Sequence, residues 1–134
     1  VADDVNASNG QYILIPNGEG SQYSPGSSIM VTYNINVAEA GEYILWGRVI
    51  APSGGDNSFY VKVDDGTDQK WGVAIGSSWR WDLVNNISTG TDPVKFNLAA
   101  GQHTIRVIQR EDGTQLDKLL LSKDFDYVPS GMGE

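Results

Sequence analysis

The stretch IMVTYNINV, residues 29–37, shows most directly how this chain folds. Its apolar side chains from Val31 to Val37 occupy every second position, with Thr32 and two asparagines between them. Successive side chains of a β-strand point to opposite faces, so this pattern predicts a strand with one buried face and one face in water. The stretch NSFYVKV, residues 57–63, repeats the pattern.

Short alternating runs of this kind follow one another along the whole chain, and helical periodicity is almost absent. Short strands separated by turns rich in Gly, Ser, Asn and Asp are typical of antiparallel β-sandwiches. The sequence therefore predicts an all-β fold, an antiparallel β-sandwich of the jelly-roll type with about nine strands. The predicted strands are residues 11–16, 29–37, 42–50, 57–63, 70–75, 79–85, 94–99, 103–110 and 115–122.

The bulk composition limits the class of protein. A chain of 134 residues can form one domain with a sizeable core, and 40% hydrophobic residues favour a folded chain. The formal net charge of -8 argues against nucleic acid or an acidic membrane surface as a partner. No apolar run approaches the roughly 20 residues of a membrane span, and without cysteine there is no disulfide or thiol nucleophile. We expect the sandwich to occupy residues 1–124 and the polar residues 125–134 to form a C-terminal tail or linker.

The connections between the predicted strands point to one end of the sandwich as a binding site. Successive connections of an antiparallel sandwich tend to lie at alternate ends, and loops gathered at one end of a rigid scaffold are a common place for binding. Tyr23, in the longest loop, and Trp79, beside a Gly-Ser-Ser turn, are predicted to bracket a cleft there. Four loops are expected to share this end: residues 17–28, 51–56, 76–78 and 111–114.

Such a cleft suits a sugar, because aromatic rings stack on the C–H-rich faces of pyranoses and polar side chains bind the hydroxyls. Stacking falls to Tyr23 and Trp79. Trp81 shares a strand face with Leu83 and is predicted to lie in the core, whereas Trp46 and Trp71 are expected to be structural. The candidate hydrogen-bonding residues are Asn57, Arg110, Glu111, Asp112 and Gln115.

Catalysis is the less favoured interpretation. His103, the only histidine, follows a turn at the opposite end, and the sequence holds no Gly-x-Ser-x-Gly, P-loop or His-Glu-x-x-His motif. Glu111 and Asp112 lie in the right loop, so a jelly-roll polysaccharide lyase or hydrolase using them remains an alternative. A structural or adhesion sandwich that binds protein is a second alternative.

Four longer segments follow one another in an order that resembles a known family. They are GSQYSPGSSIMVTYNINVAEAGEYILWGRV (20–49), DNSFYVKVDDG (56–66), WRWDLV (79–84) and AAGQHTIRVIQREDGTQLDKLLLS (99–122). In this order they resemble carbohydrate-binding modules of families six and thirty-five, with a galactose-binding-like β-sandwich. The resemblance covers nearly the whole chain and is more specific for the fold than for the ligand.

The resemblance implies a non-catalytic module that binds an oligo- or polysaccharide and is attached to a polysaccharide-degrading catalytic domain. It also places stacking on Tyr23 and Trp79 and adds a sugar contact at Gln115. It further implies a structural calcium as cofactor, held by Asp117 and a glutamate pair in E-A-E near the domain start, and this sequence lacks that pair. A monomeric, secreted or cell-surface module is expected.

Overall fold

Two antiparallel β-sheets pack against each other in the computed structural model, which describes residues 1–22, 26 and 29–133. Within these residues no helix is both long enough and apolar enough to cross a membrane. A single turn of 3-10 helix, Ser8–Gly10, joins the first two strands. The strands are β1 (Ala2–Asp3), β2 (Gln11–Leu14), β3 (Met30–Val37), β4 (Gly41–Ala51), β5 (Ser58–Val63), β6 (Gln69–Gly72), β7 (Gly76–Leu83), β8 (Phe96–Leu98), β9 (Gly101–Gln109) and β10 (Gln115–Ser122).

The strand order confirms the predicted all-β antiparallel sandwich. One sheet runs β1-β2-β10-β4-β7, with β8 paired to the start of β4, and the other runs β3-β9-β5-β6. Strand β3, which holds most of the IMVTYNINV stretch, pairs with β9 along its whole length, from Met30 opposite Ile108 to Val37 opposite Gly101. Each of the nine predicted strands corresponds to a strand of the structure, and β1 is too short, at two residues, for alternation to reveal it.

Trp71 on β6 lies at the centre of the core, with no exposed surface. Its indole Nε1 donates to Asp82 Oδ1 over 3.0 Å, and its ring centroid lies 5.7 Å from that of Phe59. Gly47 on β4 lets the ring approach, because a Cβ there would lie 2.2 Å from the Trp71 Cη2 atom. Burial raises the pKa of Asp82 above its usual value, although the indole N–H acts in the opposite direction.

Strand β4 is buried on both faces. Leu45 and Val49 face the core, and alternation directs Ile44, Trp46 and Arg48 to the outer face of the same sheet. Those three outward residues are also buried, at 0%, 8% and 8% exposure. Another part of the chain therefore covers this outer face.

The C-terminal tail, residues 125–133 of the described chain, contributes to this cover. Arg48 Nε and Trp81 Nε1 both donate to the carbonyl oxygen of Gly131, over 3.0 and 3.1 Å. Lys118 Nζ donates to the Met132 carbonyl oxygen over 2.6 Å. Arg48 pairs across the sheet with both Trp81 and Lys118, so the tail crosses three neighbouring strands. The predicted core position of Trp81 is wrong, because its side chain lies on the outer face next to the tail.

At the end opposite the candidate site, His103 bonds to two turns, one containing Asp64 and the other containing Ala99. Its Nδ1 lies 2.6 Å from Asp64 Oδ2, and its Nε2 lies 2.7 Å from the carbonyl oxygen of Ala99. The Asp64 carboxylate and the Ala99 carbonyl raise the pKa of His103, and the bond to His103 lowers the pKa of Asp64. These contacts agree with the structural role predicted for this histidine.

Candidate functional site

Several loops meet at one end of the sandwich, called the loop end here. Asp112 Oδ2 accepts from the backbone N–H groups of Gly18 and Gly20, over 2.7 and 3.2 Å. At the start of β7, Gly76 pairs with Ala51 at the end of β4. Three of the four predicted loops meet at this end, in the part of the chain that the structure describes. The predicted turn at the fourth, residues 76–78, is wrong, because these residues pair as the start of β7. The loop end comprises residues 15–22, 52–57, 73–76 and 110–114.

Four residues form a polar cluster at the loop end: Asn57, Ser58, Arg110 and Glu111. Arg110 Nη1 donates to Glu111 Oε1 over 2.8 Å and to Ser58 Oγ over 2.5 Å. Glu111 Oε2 accepts from the Asn57 backbone N–H over 2.9 Å. In the amide orientation that satisfies its neighbours, the Asn57 side chain also donates to Glu111 Oε2 and to the Gly54 carbonyl, both over 2.9 Å. Three of the predicted hydrogen-bonding residues thus lie together, with Asp112 next in the chain.

Arg110 carries a donor that the cluster does not use. Its Nε is buried and has no hydrogen-bond partner among the described residues, and its side chain is 16% exposed. A buried N–H without an acceptor costs about 1–3 kcal/mol, so such a group is commonly matched by water or a ligand. The Arg110 Nε is thus a buried donor without an acceptor among the described residues, while both oxygens of Glu111 are already engaged.

Trp79 lies outside the polar cluster, on the outer face of the β4-containing sheet. Its Nε1 donates to Asp4 Oδ2 over 3.0 Å, and its ring meets that of Tyr12 edge to face at 5.3 Å. The guanidinium carbon of Arg48 lies 5.5 Å from the centroid of the Trp79 ring. Gln115, the first residue of β10, pairs with Ile50 of β4 and so lies between the loop end and this face.

Tyr23, the predicted partner of Trp79 in stacking, lies outside the described residues, so the predicted pair stays a prediction. Sequence reasoning missed Asp4 and Tyr12 as neighbours of Trp79. Only the alternation in QYILIP, which separates Tyr12 from the inward Ile13, offered a weak signal. The backbone N–H of Asn6, the Trp79 indole and the Asn6 side chain lower the pKa of Asp4, and its carboxylate is an acceptor for the ring.

Asp117, the predicted calcium ligand, has both carboxylate oxygens engaged. Oδ1 accepts from the backbone N–H and hydroxyl of Ser8, over 2.9 and 2.5 Å. Oδ2 lies 2.6 Å from Arg48 Nη1, and the Asp117 side chain is fully buried. In the described ranges no three His, Asp or Glu side chains come close enough together to hold a metal. Calcium takes six to eight oxygen ligands, so this donor set does not fit the ion.

The comparison with family models covers almost the whole chain. Residues 3–134 match the model of the glycosyl hydrolase family 115 C-terminal domain. The chain belongs to this family. A protein of Formosa agariphila called Uncharacterized protein P23 is 26% identical to this family 115 C-terminal domain over 152 residues, and the match covers 96% of the chain. The chain spans only 36% of the length of that relative.

Solved structures share the fold of this family 115 C-terminal domain. A family 35 carbohydrate-binding module from Clostridium thermocellum superposes with a TM-score of 0.66 at 21% identity, covering 90% of this chain and 84% of that one. The Podospora anserina GH26-CBM35 β-(1,4)-mannanase gives 0.60 at 19% identity, over 88% of this chain and 26% of the mannanase. A family GH115 4-O-methyl-α-glucuronidase gives 0.54 at 13% identity, over 92% of this chain and 17% of that enzyme. The predicted resemblance in fold to family 35 modules is confirmed.

Proposed function

We propose that this domain is a non-catalytic carbohydrate-binding module that holds a catalytic domain of the same polypeptide close to its polysaccharide. The observation that carries the proposal is the fold, shared over 90% of the chain with a family 35 carbohydrate-binding module. Membership of a family of glycosyl hydrolase C-terminal domains supports the attachment to a catalytic domain. The structurally similar mannanase contains a family 35 module together with its enzyme.

The loop end is the proposed position of the sugar. The guanidinium of Arg110 supplies donors for sugar hydroxyls, and the side-chain oxygen of Asn57 supplies an acceptor. Gln115, at the start of β10, is proposed to bind sugar between the loop end and the outer face, where the half-buried ring of Trp79 offers a stacking surface. Tyr23 is proposed as the aromatic residue of the longest loop that completes the cleft.

Glu111 and Asp112, the carboxylates of the catalytic alternative, both hold other parts of the loop end in place. Glu111 holds Arg110 and the Asn57 backbone, and Asp112 holds the backbone of Gly18 and Gly20. An acid/base pair must instead face a scissile bond from two sides, and these residues are neighbours on one turn. These contacts support binding without turnover.

A glycan titration of the purified domain tests the proposal. Mannan, xylan, galactan and arabinogalactan oligosaccharides are titrated by calorimetry, and each mixture is assayed for new reducing ends and unsaturated products. We expect one glycan class to bind with a Kd on the order of 10–100 µM and to remain intact. Arg110→Met should weaken that binding at least about tenfold. New product would support the lyase or hydrolase alternative, and no binding to any glycan would support the protein-binding one.

Arg106→Met is the matched control. This substitution removes the same charge as Arg110→Met. The Arg106 side chain, however, donates to the Asp64 carbonyl, at the end of the sandwich opposite the loop end. Its affinity for the glycan should stay within about twofold of the unmodified domain. Melting curves of both variants separate loss of a sugar contact from loss of the fold.

A further inference from the structure

Arg48 joins three parts of the chain that are far apart in sequence. Its Nη1 lies 2.6 Å from Asp117 Oδ2 on β10 and donates to the carbonyl oxygen of Asn6 over 2.9 Å. Its Nε donates to the Gly131 carbonyl over 3.0 Å. One guanidinium thus connects the N-terminal segment, residues 4–10, with the last strand and the C-terminal tail.

All these partners are oxygen atoms, which is the ligand chemistry of a hard cation. Asp117 supplies a carboxylate, and Asn6 and Gly131 supply carbonyls. A fully buried carboxylate such as Asp117 needs a compensating positive charge nearby. Arg48 provides that charge, and its planar fork of donors can reach several acceptors at once.

We propose that the Arg48 guanidinium takes the place of a structural metal ion in this domain. It neutralises Asp117 and fastens both ends of the chain to β10, so that folding at this position needs no calcium. This differs from the calcium that the resemblance to families six and thirty-five implies for Asp117.

A calcium ion and Arg48 cannot share Asp117. An ion bound at the usual 2.3–2.6 Å from the carboxylate would meet a guanidinium nitrogen already 2.6 Å from Oδ2. Arginine does not lose its proton in proteins, so the repulsion cannot be relieved by titration. Moving the side chain away would take its donor from the Asn6 carbonyl and leave the Gly131 carbonyl with the Trp81 indole alone. The guanidinium therefore excludes the ion as well as replacing it.

Calcium dependence of the unmodified domain is the first measurement. Melting temperatures are recorded with excess EDTA, with millimolar CaCl₂ and with MgCl₂ at matched ionic strength, and calcium is titrated by calorimetry. We expect all melting temperatures to agree within about 1 °C and no stoichiometric heat, because mass action needs a bound ligand. A calcium-dependent rise that Asp117→Asn abolishes would overturn the proposal.

Two variants then measure what the pair contributes. Arg48→Met and Asp117→Asn should each lower the melting temperature by roughly 10 °C, and the double variant should lose less than the sum of the two. Lys118→Met is the matched control, because it removes a cation of the same face whose hydrogen bond, within the described residues, goes to the Met132 carbonyl. It should lower the melting temperature by about 2 °C or less. An unchanged melting temperature in Arg48→Met would contradict the proposal. If that variant does not fold, the calcium titration of the unmodified domain decides alone.

Discussion

Replacing Trp79 by alanine tests whether this ring stabilises the sandwich or serves mainly as a sugar platform. The sequence places Trp79 beside residues 76–78, which the pattern predicts as a turn, and a ring at such a turn would cost little stability when removed. The structure indicates otherwise, because the ring packs edge to face on Tyr12 and lies beside the Arg48 guanidinium. The aromatic contact is worth about 0.5–1.5 kcal/mol and the cation–π contact about 0.5–1 kcal/mol. The hydrogen bond to Asp4 and the half-buried apolar surface add to this.

We therefore expect Trp79→Ala to lower the free energy of unfolding by at least about 2 kcal/mol. Urea unfolding followed by circular dichroism gives this quantity from the midpoint and slope. Trp79→Phe is the matched variant, since it keeps a ring against Tyr12 but loses the indole N–H, and it should lose less than half as much. Glycan affinity is measured on both variants under conditions where each is folded. A free energy of unfolding for Trp79→Ala within about 0.5 kcal/mol of the unmodified domain would refute the assignment.

Two further predictions concern the core and the tie at the opposite end. Gly47→Ala should lower the free energy of unfolding by about 3 kcal/mol, because the fixed Trp71 ring leaves no room for a Cβ. Gly54→Ala is the control, since its nearest atom lies 3.9 Å from an added Cβ, and it should change the free energy of unfolding by less than about 0.5 kcal/mol. Equal urea midpoints for the two variants would contradict this. His103→Gln should lower the free energy of unfolding most between about pH 4 and 6.5. In that range His103, whose pKa is raised by folding, and Asp64, whose pKa is lowered, are both charged in the folded domain, so their bond is strongest there. The difference in melting temperature should shrink as the pH rises through the folded pKa of His103, and a difference that stays constant from pH 5 to pH 9 would count against it.

Much of the fold could be predicted because a half-buried antiparallel strand leaves a local pattern of alternating apolar and polar residues. Alternation at residues 29–37 marks a strand whatever lies on either side of it, and counting connections then assigns loops to ends. Alternation also shows that Trp79 and Trp81 share a face, but it cannot show which face is inward. Sharing a face with Leu83 therefore predicts a core position for Trp81, although that face turns out to be the outer one. The outer face of its sheet is covered by the tail, whose Gly-rich composition is typical of a linker.

Residues of the candidate site that are neighbours in sequence could be predicted, and those brought together from distant parts of the chain could not. Arg110, Glu111 and Asp112 are consecutive, so a correctly assigned loop brings all three to the loop end. Trp79 depends instead on Asp4, 75 residues away, and no local pattern encodes that contact. Arg48 and Asp117, 69 residues apart, are likewise a pair that only the register of β4 and β10 makes visible.

The docking of the tail on the outer face has a mechanical consequence. If tension is applied to the chain beyond residue 133, the first bonds to carry it are those from Lys118, Trp81 and Arg48 to two successive carbonyl groups. These donors lie on three adjacent strands, so the load is spread over the sheet before it reaches the backbone ladder of β10. Breaking these side-chain bonds releases the tail without breaking a backbone bond between strands. If the domain binds a polysaccharide as proposed, release of the tail would lengthen the connection to a neighbouring domain before the sandwich itself is loaded.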